Sequence, residues 1–261
     1  MSNINQKSKT SGTREWADVT VNCCTGCRHG CLYCYAESLA LQRKQVTEGQ
    51  WTNQRIRHHD VVKGRRKRFQ GWVMFPSSHD ITPFNLNACL TVLEKLLNAG
   101  NKVLIVSKPH LDCIEAICQQ FGDYRGQILF RFTIGSCDDS VLSFWEPGAP
   151  AYAERMAALQ YAYEQGFQTS VSVEPMLDSA NIGRLIAEIL PYVTETIWIG
   201  KMNHLETLSN NTEAQLQAAL QQIEAGQTDD IIRTIYHRHK MNPNIRWKAS
   251  IKKVVGLPMV P

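Results

Sequence analysis

Five cysteines fall within twelve residues: Cys23, Cys24, Cys27, Cys31 and Cys34, in the run Cys-Cys-Thr-Gly-Cys-Arg-His-Gly-Cys-Leu-Tyr-Cys. Cys27, Cys31 and Cys34 have the spacing Cys-x-x-x-Cys-x-x-Cys. Thiolates are the usual protein ligands of iron–sulfur clusters. Three of them on one tight loop can hold three irons of a cuboidal 4Fe–4S cluster and leave the fourth iron open to another ligand. Other chemistry is compatible with the same residues. Cys24, Cys27, Cys31 and Cys34 also read as two Cys-x-x-Cys pairs, the donor set of a structural zinc site. Zinc ribbons leave roughly 15–20 residues between such pairs, whereas only three separate them here. A closed four-cysteine cluster through Cys24 and a thioredoxin-like pair remain further arrangements. The total of nine cysteines is odd. In a reducing compartment, that crowding points to metal or redox chemistry and not to a disulfide framework.

Such a loop needs a scaffold. The chain has 261 residues, enough to bury a large core without a staple. Hydrophobic residues make up 43% and charged residues 20%, a balance that excludes a disordered chain. Mean hydropathy is −0.28, and no apolar run approaches the roughly 18 residues of a membrane helix. The N-terminal stretch is polar and has no apolar signal core. These features predict a soluble, cytoplasmic protein, with a flexible tail over residues 1–15 and one domain over 16–261.

Short apolar runs predict strands at 18–22, 72–75, 102–106, 128–134, 169–173 and 196–199, with a weaker seventh at 245–247. Helical stripes lie between them. Leu86, Leu90, Leu93 and Leu97 stop at Gly100; Met156, Leu159 and Tyr163 stop at Gly166; Ile182, Leu185, Ile186 and Ile189 end at Pro191. Alternating strands and helices predict right-handed βαβ units, an α/β class with a parallel sheet, and a partial (β/α)6-type barrel in a single domain. In barrels the chemistry sits at the C-terminal ends of the strands. The residues just past each strand are therefore the candidates: Ser77, Ser78, His79 and Asp80; Lys108; Thr133 and Cys137; Glu174; and Gly200. Glu174 suits a cofactor ribose or a substrate, or an ion pair with Arg131. Gly200 permits close backbone approach, and Asp80 can orient neighbouring loops. Cys89, Cys113 and Cys118 fall on helical patterns and read as core residues.

The cysteine spacing, the aromatic Tyr33 before the last cysteine and the preceding strand together resemble the radical S-adenosylmethionine superfamily. Further segments resemble its spore photoproduct lyase branch over roughly residues 20–180: Phe75-Pro-Ser-Ser-His-Asp80, Val106-Ser-Lys108, Phe130-Arg-Phe-Thr-Ile134 and Phe144-Trp-Glu-Pro-Gly148. The resemblance implies a 4Fe–4S cluster on Cys27, Cys31 and Cys34 whose open iron chelates S-adenosylmethionine. One electron then cleaves the cofactor to a 5′-deoxyadenosyl radical that abstracts hydrogen from a substrate. It implies a reducing electron donor such as flavodoxin or ferredoxin. It also implies cofactor contacts from Lys108, Thr133 and, at the register of a lyase serine, His79. Ser77 stands where the lyases carry a hydrogen-donating cysteine, and a serine O–H bond is too strong for that task. Tyr33 and Tyr35 match a lyase tyrosine pair tied to radical return, and Cys137 is a candidate for the missing thiol.

The net charge is +4 and the isoelectric point about 8.5, mildly basic. The positive charge concentrates in Lys63-Gly-Arg-Arg-Lys-Arg68, a block that either contacts phosphates or forms a solvated loop. Arg233, His237, Arg238, His239 and Lys240 form a second basic stretch that a helix dipole explains. The resemblance and the first block together point to a nucleic acid or nucleotide substrate for a radical enzyme. The alternative is a non-enzymatic nucleic-acid-binding protein with structural zinc at Cys24, Cys27, Cys31 and Cys34.

Overall fold

A computed structural model describes residues 12–65, 67–203, 205–208 and 213–259. The strands are β1 (Val19–Thr20), β2 (Cys24–Thr25), β3 (Arg55–Ile56), β4 (Trp72–Met74), β5 (Lys102–Ser107), β6 (Ile128–Thr133), β7 (Gln168–Val173), β8 (Ile197–Ile199) and β9 (Ile245–Trp247). The helices are α1 (Tyr35–Gln42), α2 (His58–Val62), α3 (Leu86–Asn98), α4 (Leu111–Gln120), α5 (Asp139–Trp145), α6 (Tyr152–Glu164), α7 (Ile182–Ile189), α8 (Leu205–Leu208), α9 (Ala214–Gly226), α10 (Asp229–His239) and α11 (Ala249–Val255).

Seven strands form one sheet in the order β1-β4-β5-β6-β7-β8-β9, and every pair is parallel. Each crossover carries at least one helix, so the expected βα alternation holds through all seven strands, the weak seventh included. The order is linear and β1 does not pair with β9, which makes the barrel partial. The antiparallel pair β2–β3 is two residues per strand, too short to leave a periodic signal.

A strand sends alternate side chains to opposite faces, and both faces of this sheet are covered. Val103, Ile105, Phe130, Phe132, Val171 and Val173 face outward into the main core, against Leu93 and Leu97 of α3 and Ile114 and Ile117 of α4. The α7 stripe of Ile182, Leu185, Ile186 and Ile189 is buried on that side as well. The inward positions Met74, Leu104 and Leu129 form a separate cluster with Ala17 and Trp16.

The gap between the sheet edges is crossed by the chain that precedes β1. Gly12–Glu15 form a turn of 3-10 helix, so this part of the expected flexible tail is ordered, and residues 1–11 lie outside the described residues. Glu15 fixes the turn: its Oε1 sits 3.0 Å from Nζ of Lys248, just past β9. Trp16 then inserts between the edges, with the Lys248 ammonium 4.0 Å from its ring centre. Among the described residues, no helix is long and apolar enough to cross a membrane.

Candidate active site

The two-residue period of the strands decides what the mouth of the barrel contains. Leu104 faces inward, so the alternation carries Val106 and then Lys108 to the same face. The same count from Leu129 brings in Arg131 and Thr133, and Ser170, Ser172 and Glu174 follow on the next strand. Lys108, Thr133, Ser172, Glu174 and Lys248 all line one cavity of about 580 Å³ at the C-terminal ends of the strands. Cys27, Cys31, Tyr33, Cys34 and Tyr35 form its other wall, with Ser77, Ser78, His79 and Asp80 between. The volume is that of a small-molecule site.

The cysteine loop is clamped from two sides. The Cys27 amide donates to the Trp51 carbonyl at 3.0 Å. Gly26 must be glycine there: its φ is +86°, and a Cβ would lie 2.4 Å from the Trp51 oxygen. On the other side, the Leu32 amide donates to the Trp145 carbonyl at 2.9 Å, and the Gly148 amide to that of His29 at 2.9 Å. Cys34 caps the N-terminus of α1. Burial pushes the Cys27 and Cys34 thiols up, and the Cys31 thiol to about 12. A cation that holds them as thiolates therefore releases protons when it binds.

Asp80 ties this loop to the strand ends. Its Oδ1 accepts from the Lys108 amide at 2.8 Å and the Ser107 hydroxyl at 3.0 Å, and its Oδ2 lies 2.8 Å from His29 Nδ1. The Cys27 thiol lies 3.7 Å from Oδ2 and the Lys108 ammonium 3.8 Å. Burial alone would raise this carboxyl, but the charges of Lys108 and His29 and the donated hydrogen bonds hold it well below the usual range. His29 continues outward, its Nε2 3.0 Å from Nε2 of His110. A second buried link joins the loop to β6. The Tyr33 hydroxyl donates to Glu146, whose Oε2 lies 2.6 Å from Arg155 Nη1 with both side chains fully buried. Arg155 in turn donates to the Thr133 carbonyl at 3.3 Å.

The other sequence-predicted residues have specific partners. His79 touches the cavity, but its Nε2 accepts from the Cys23 amide at 3.2 Å and its Nδ1 donates to the Asp80 carbonyl at 3.1 Å. Both ring nitrogens are engaged within the protein, and burial lowers this imidazole to about 4. Ser77 is tied to Asn22, which donates to its hydroxyl at 2.9 Å and accepts from its amide at 2.7 Å. Glu174 pairs with Lys248 at 3.2 Å and not with Arg131. Arg131 donates to the Ser170 hydroxyl at 3.0 Å and stacks on Trp16 and Trp198, 4.7 and 5.5 Å from their ring centres. Gly200 makes room for that ion pair, since a Cβ there would sit 3.0 Å from side-chain atoms of both Glu174 and Lys248. Cys137 is not among the cavity's residues and packs against the main core.

The basic block lies where the chain enters the N-terminal end of β4, away from the cavity. Arg65 turns back to the Asp60 carbonyl at 3.0 Å, and Arg66 lies outside the described residues. Positive charge in the cavity comes from Arg14, Lys108, Lys201 and Lys248, and a second concavity carries Arg28 and Arg55. They line a shallow groove of about 600 Å³ with Thr52, Asn53 and Gln54, where the Arg28 guanidinium stacks 3.9 Å above the ring of Phe84. Lys248, the Glu146–Arg155 link and this groove went unread in the sequence. Only the position of Lys248 just past the seventh strand signalled a site residue.

The donor set discriminates between a cluster and a single zinc. A tetrahedral zinc holds its thiolates about 3.8 Å apart, as Zn–S bonds of about 2.3 Å require. Among the described residues, no three ligand atoms within 4.8 Å of one another include Cys31 or Cys34. Cys24 turns to Cys23, their sulfurs 3.9 Å apart, and does not line the cavity. The structure thus contradicts one zinc at Cys24, Cys27, Cys31 and Cys34. Three thiols set wider apart around one cavity suit a multi-iron group. The Ser172 hydroxyl, buried at that cavity without a hydrogen-bond partner among the described residues, suits a ligand beside it.

No family model matches the chain. Two curated proteins are similar in sequence. Uncharacterized protein ORF301 of Acidianus two-tailed virus is 25% identical over 193 residues, 70% of this chain and 62% of that protein. Uncharacterized protein MJ0683 of Methanocaldococcus jannaschii is 24% identical over 179 residues, 67% of each. Among solved structures, SuiB of Streptococcus suis bound to S-adenosylmethionine aligns over 88% of this chain and 47% of its own, at 10% identity and a TM-score of 0.52. A spore photoproduct lyase mutant with bound AdoMet and dinucleoside spore photoproduct aligns over 94% of this chain and 79% of its own, at 15% identity and a TM-score of 0.56. The chain therefore spans less than two thirds of the first relative in each comparison. The chain shares its fold with SuiB and with spore photoproduct lyase.

Proposed function

We propose that this protein is a radical S-adenosylmethionine enzyme acting on a nucleic acid or nucleotide. One observation carries the reading: Cys27, Cys31 and Cys34 face Lys108, Thr133 and Glu174 across a single cavity at the C-terminal end of the sheet. The three thiolates hold a 4Fe–4S cluster, which supplies, when reduced by a donor such as flavodoxin or ferredoxin, the electron that cleaves S-adenosylmethionine to its 5′-deoxyadenosyl radical. Lys108 meets the cofactor carboxylate. Burial alone would lower its ammonium, but Cys31, Tyr33, Asp80 and Glu146 around it push it up, so it stays charged. Thr133 and the free Ser172 hydroxyl serve the methionine end. Glu174, fixed by Lys248, accepts from a ribose hydroxyl.

Hydrogen return to the substrate radical falls to Tyr35, which is half exposed at the mouth and whose hydroxyl donates to the Ser77 carbonyl; the tyrosyl radical left behind would take an electron from the same external donor and a proton from solvent. Half-buried Tyr33 lines the same cavity. Cys137, outside the cavity, takes no part in this step. The Arg28–Phe84 stack beside Arg55 suits a base and its phosphates.

The test is anaerobic reconstitution with iron and sulfide, reduction with dithionite, and assay of 5′-deoxyadenosine with and without oligonucleotide. Cofactor cleavage that depends on all three cysteines is expected, and its absence in the wild type overturns the enzyme reading. Failure to bind any oligonucleotide at low salt overturns the substrate class alone.

A further inference from the structure

Cys23 and Cys24 take no part in the cavity, and their surroundings differ from an ordinary apolar core. In an extended chain, consecutive side chains point to opposite sides. Here the two sulfurs lie 3.9 Å apart. The Cys23 sulfur is also 3.8 Å from that of Cys89, on α3, and 3.9 Å from Nε2 of His79, in the loop after β4. The ligand atoms of Cys23, Cys24 and His79 all lie within 4.8 Å of one another. The three cysteines are 0–1% exposed and His79 6%. A buried cysteine alone is a small apolar residue. Three thiols and an imidazole nitrogen converging from three segments make a donor set.

The geometry points to a structural zinc site formed by Cys23, Cys24, Cys89 and His79, separate from the loop of Cys27, Cys31 and Cys34. The 3.9 Å separation of the Cys23 and Cys24 sulfurs matches the spacing of about 3.8 Å that tetrahedral zinc imposes on its thiolates. His79 is already oriented as a ligand. Its Nδ1–H donates to the Asp80 carbonyl at 3.1 Å, which leaves Nε2 as the lone-pair nitrogen on the side of the sulfurs. That lone pair accepts from the Cys23 amide at 3.2 Å, a contact the ion would replace. Cys89 stands outside that group of three, its sulfur 3.5 Å from Asn85 Oδ1, and would have to turn from Asn85 to supply the fourth ligand. Binding exchanges thiol protons, released to solvent, for the ion. The site would join the residues that lead into the cluster loop to the β4 loop and to α3, and so brace the base of the loop from the core side.

The experiment measures zinc, iron and sulfide per chain in anaerobically purified full-length protein, expressed with zinc in the medium. About one zinc per chain is expected in the wild type, with sulfur-dominated coordination by zinc X-ray absorption. Cys23→Ser, Cys24→Ser and His79→Ala should each lose at least nine tenths of the zinc and keep their iron. Cys31→Ala should lose iron and keep zinc. The absorption measurement needs no variant, so misfolding of a substituted chain does not blunt the test. Three results overturn the site: less than a tenth of a zinc per chain after incubation with zinc and gel filtration, coordination by nitrogen and oxygen only, or a Cys23–Cys89 disulfide in the anaerobic protein.

Discussion

The two ends of this barrel are built from the same strands and carry opposite kinds of side chain. Below the mouth, Met74, Leu104 and Leu129 pack inward with Ala17 and Trp16, and Met74 and Trp16 form the apolar floor of the cavity. A few residues further along are Lys108, Thr133, Ser172, Glu174 and Lys248. Arg131 marks the boundary, its guanidinium layered on Trp16 and Trp198, and burial lowers it to about 9. One end is a packed plug and the other a polar mouth, so the same alternation supplies both rigidity and chemistry. The positive block of residues 63–68 is the most conspicuous charge in the sequence, yet it belongs to the plugged end.

The largest contrast between the ends is all-or-none. Cys27→Ala, Cys31→Ala and Cys34→Ala should each abolish the cluster, because each removes one iron's protein ligand at the mouth. Iron and sulfide analysis reads this directly. If Cys23→Ala or Cys24→Ala loses the iron as well, the three-cysteine assignment is wrong.

At the plugged end the expected loss is stability. Leu129 is 6% exposed among Met74, Leu104 and Trp16, so Leu129→Ala should cost about 2–5 kcal/mol by the cavity it leaves. The folded remainder should bind S-adenosylmethionine with unchanged affinity. Denaturant unfolding and a binding titration on one sample separate the two effects. A large affinity loss would mean that the plug shapes the cofactor site.

Lys108→Ala should do the converse. Loss of a charge-assisted contact is worth about 1.5–3 kcal/mol, roughly ten- to hundredfold in affinity for S-adenosylmethionine. Iron content should stay normal. An unchanged dissociation constant would remove Lys108 from the cofactor site.

Much of this contrast was legible in the sequence, for local reasons. The strands and the α3, α6 and α7 stripes show because their periods repeat over enough residues, and Lys108, Thr133 and Glu174 followed by counting past each strand. The cysteine spacing is likewise a local signal. What stayed hidden depends on long-range contacts. Glu174 meets Lys248 rather than Arg131 because the seventh strand delivers a lysine to the same layer. His79 Nε2 meets the Cys23 amide, 56 positions away. Gly12–Glu15 read as tail because one buried Glu15–Lys248 contact, 233 positions apart in the chain, holds them. No window of local sequence contains such pairs.

The smallest expected effect concerns the block at the plugged end. If a polynucleotide is the substrate, its phosphates should run along the groove that Arg28 and Arg55 line beside the Phe84 ring. Each phosphate contact removed should flatten the logarithmic salt dependence of binding by about 0.7–0.9, the counterion-release slope. Arg28→Ala and Arg55→Ala should therefore each lower the slope by about that much, with weaker binding at low salt and little change at high salt. Lys67→Ala and Arg68→Ala should leave it unchanged. Both side chains are exposed, but they flank the entry to β4, with Lys67 over Phe69 and Arg68 alongside Gly100. A salt titration of a fluorescent oligonucleotide against the four variants makes the measurement. If Lys67→Ala and Arg68→Ala flatten the slope and the groove variants do not, the nucleic acid passes over the plugged end, and the division of labour between the two ends is wrong.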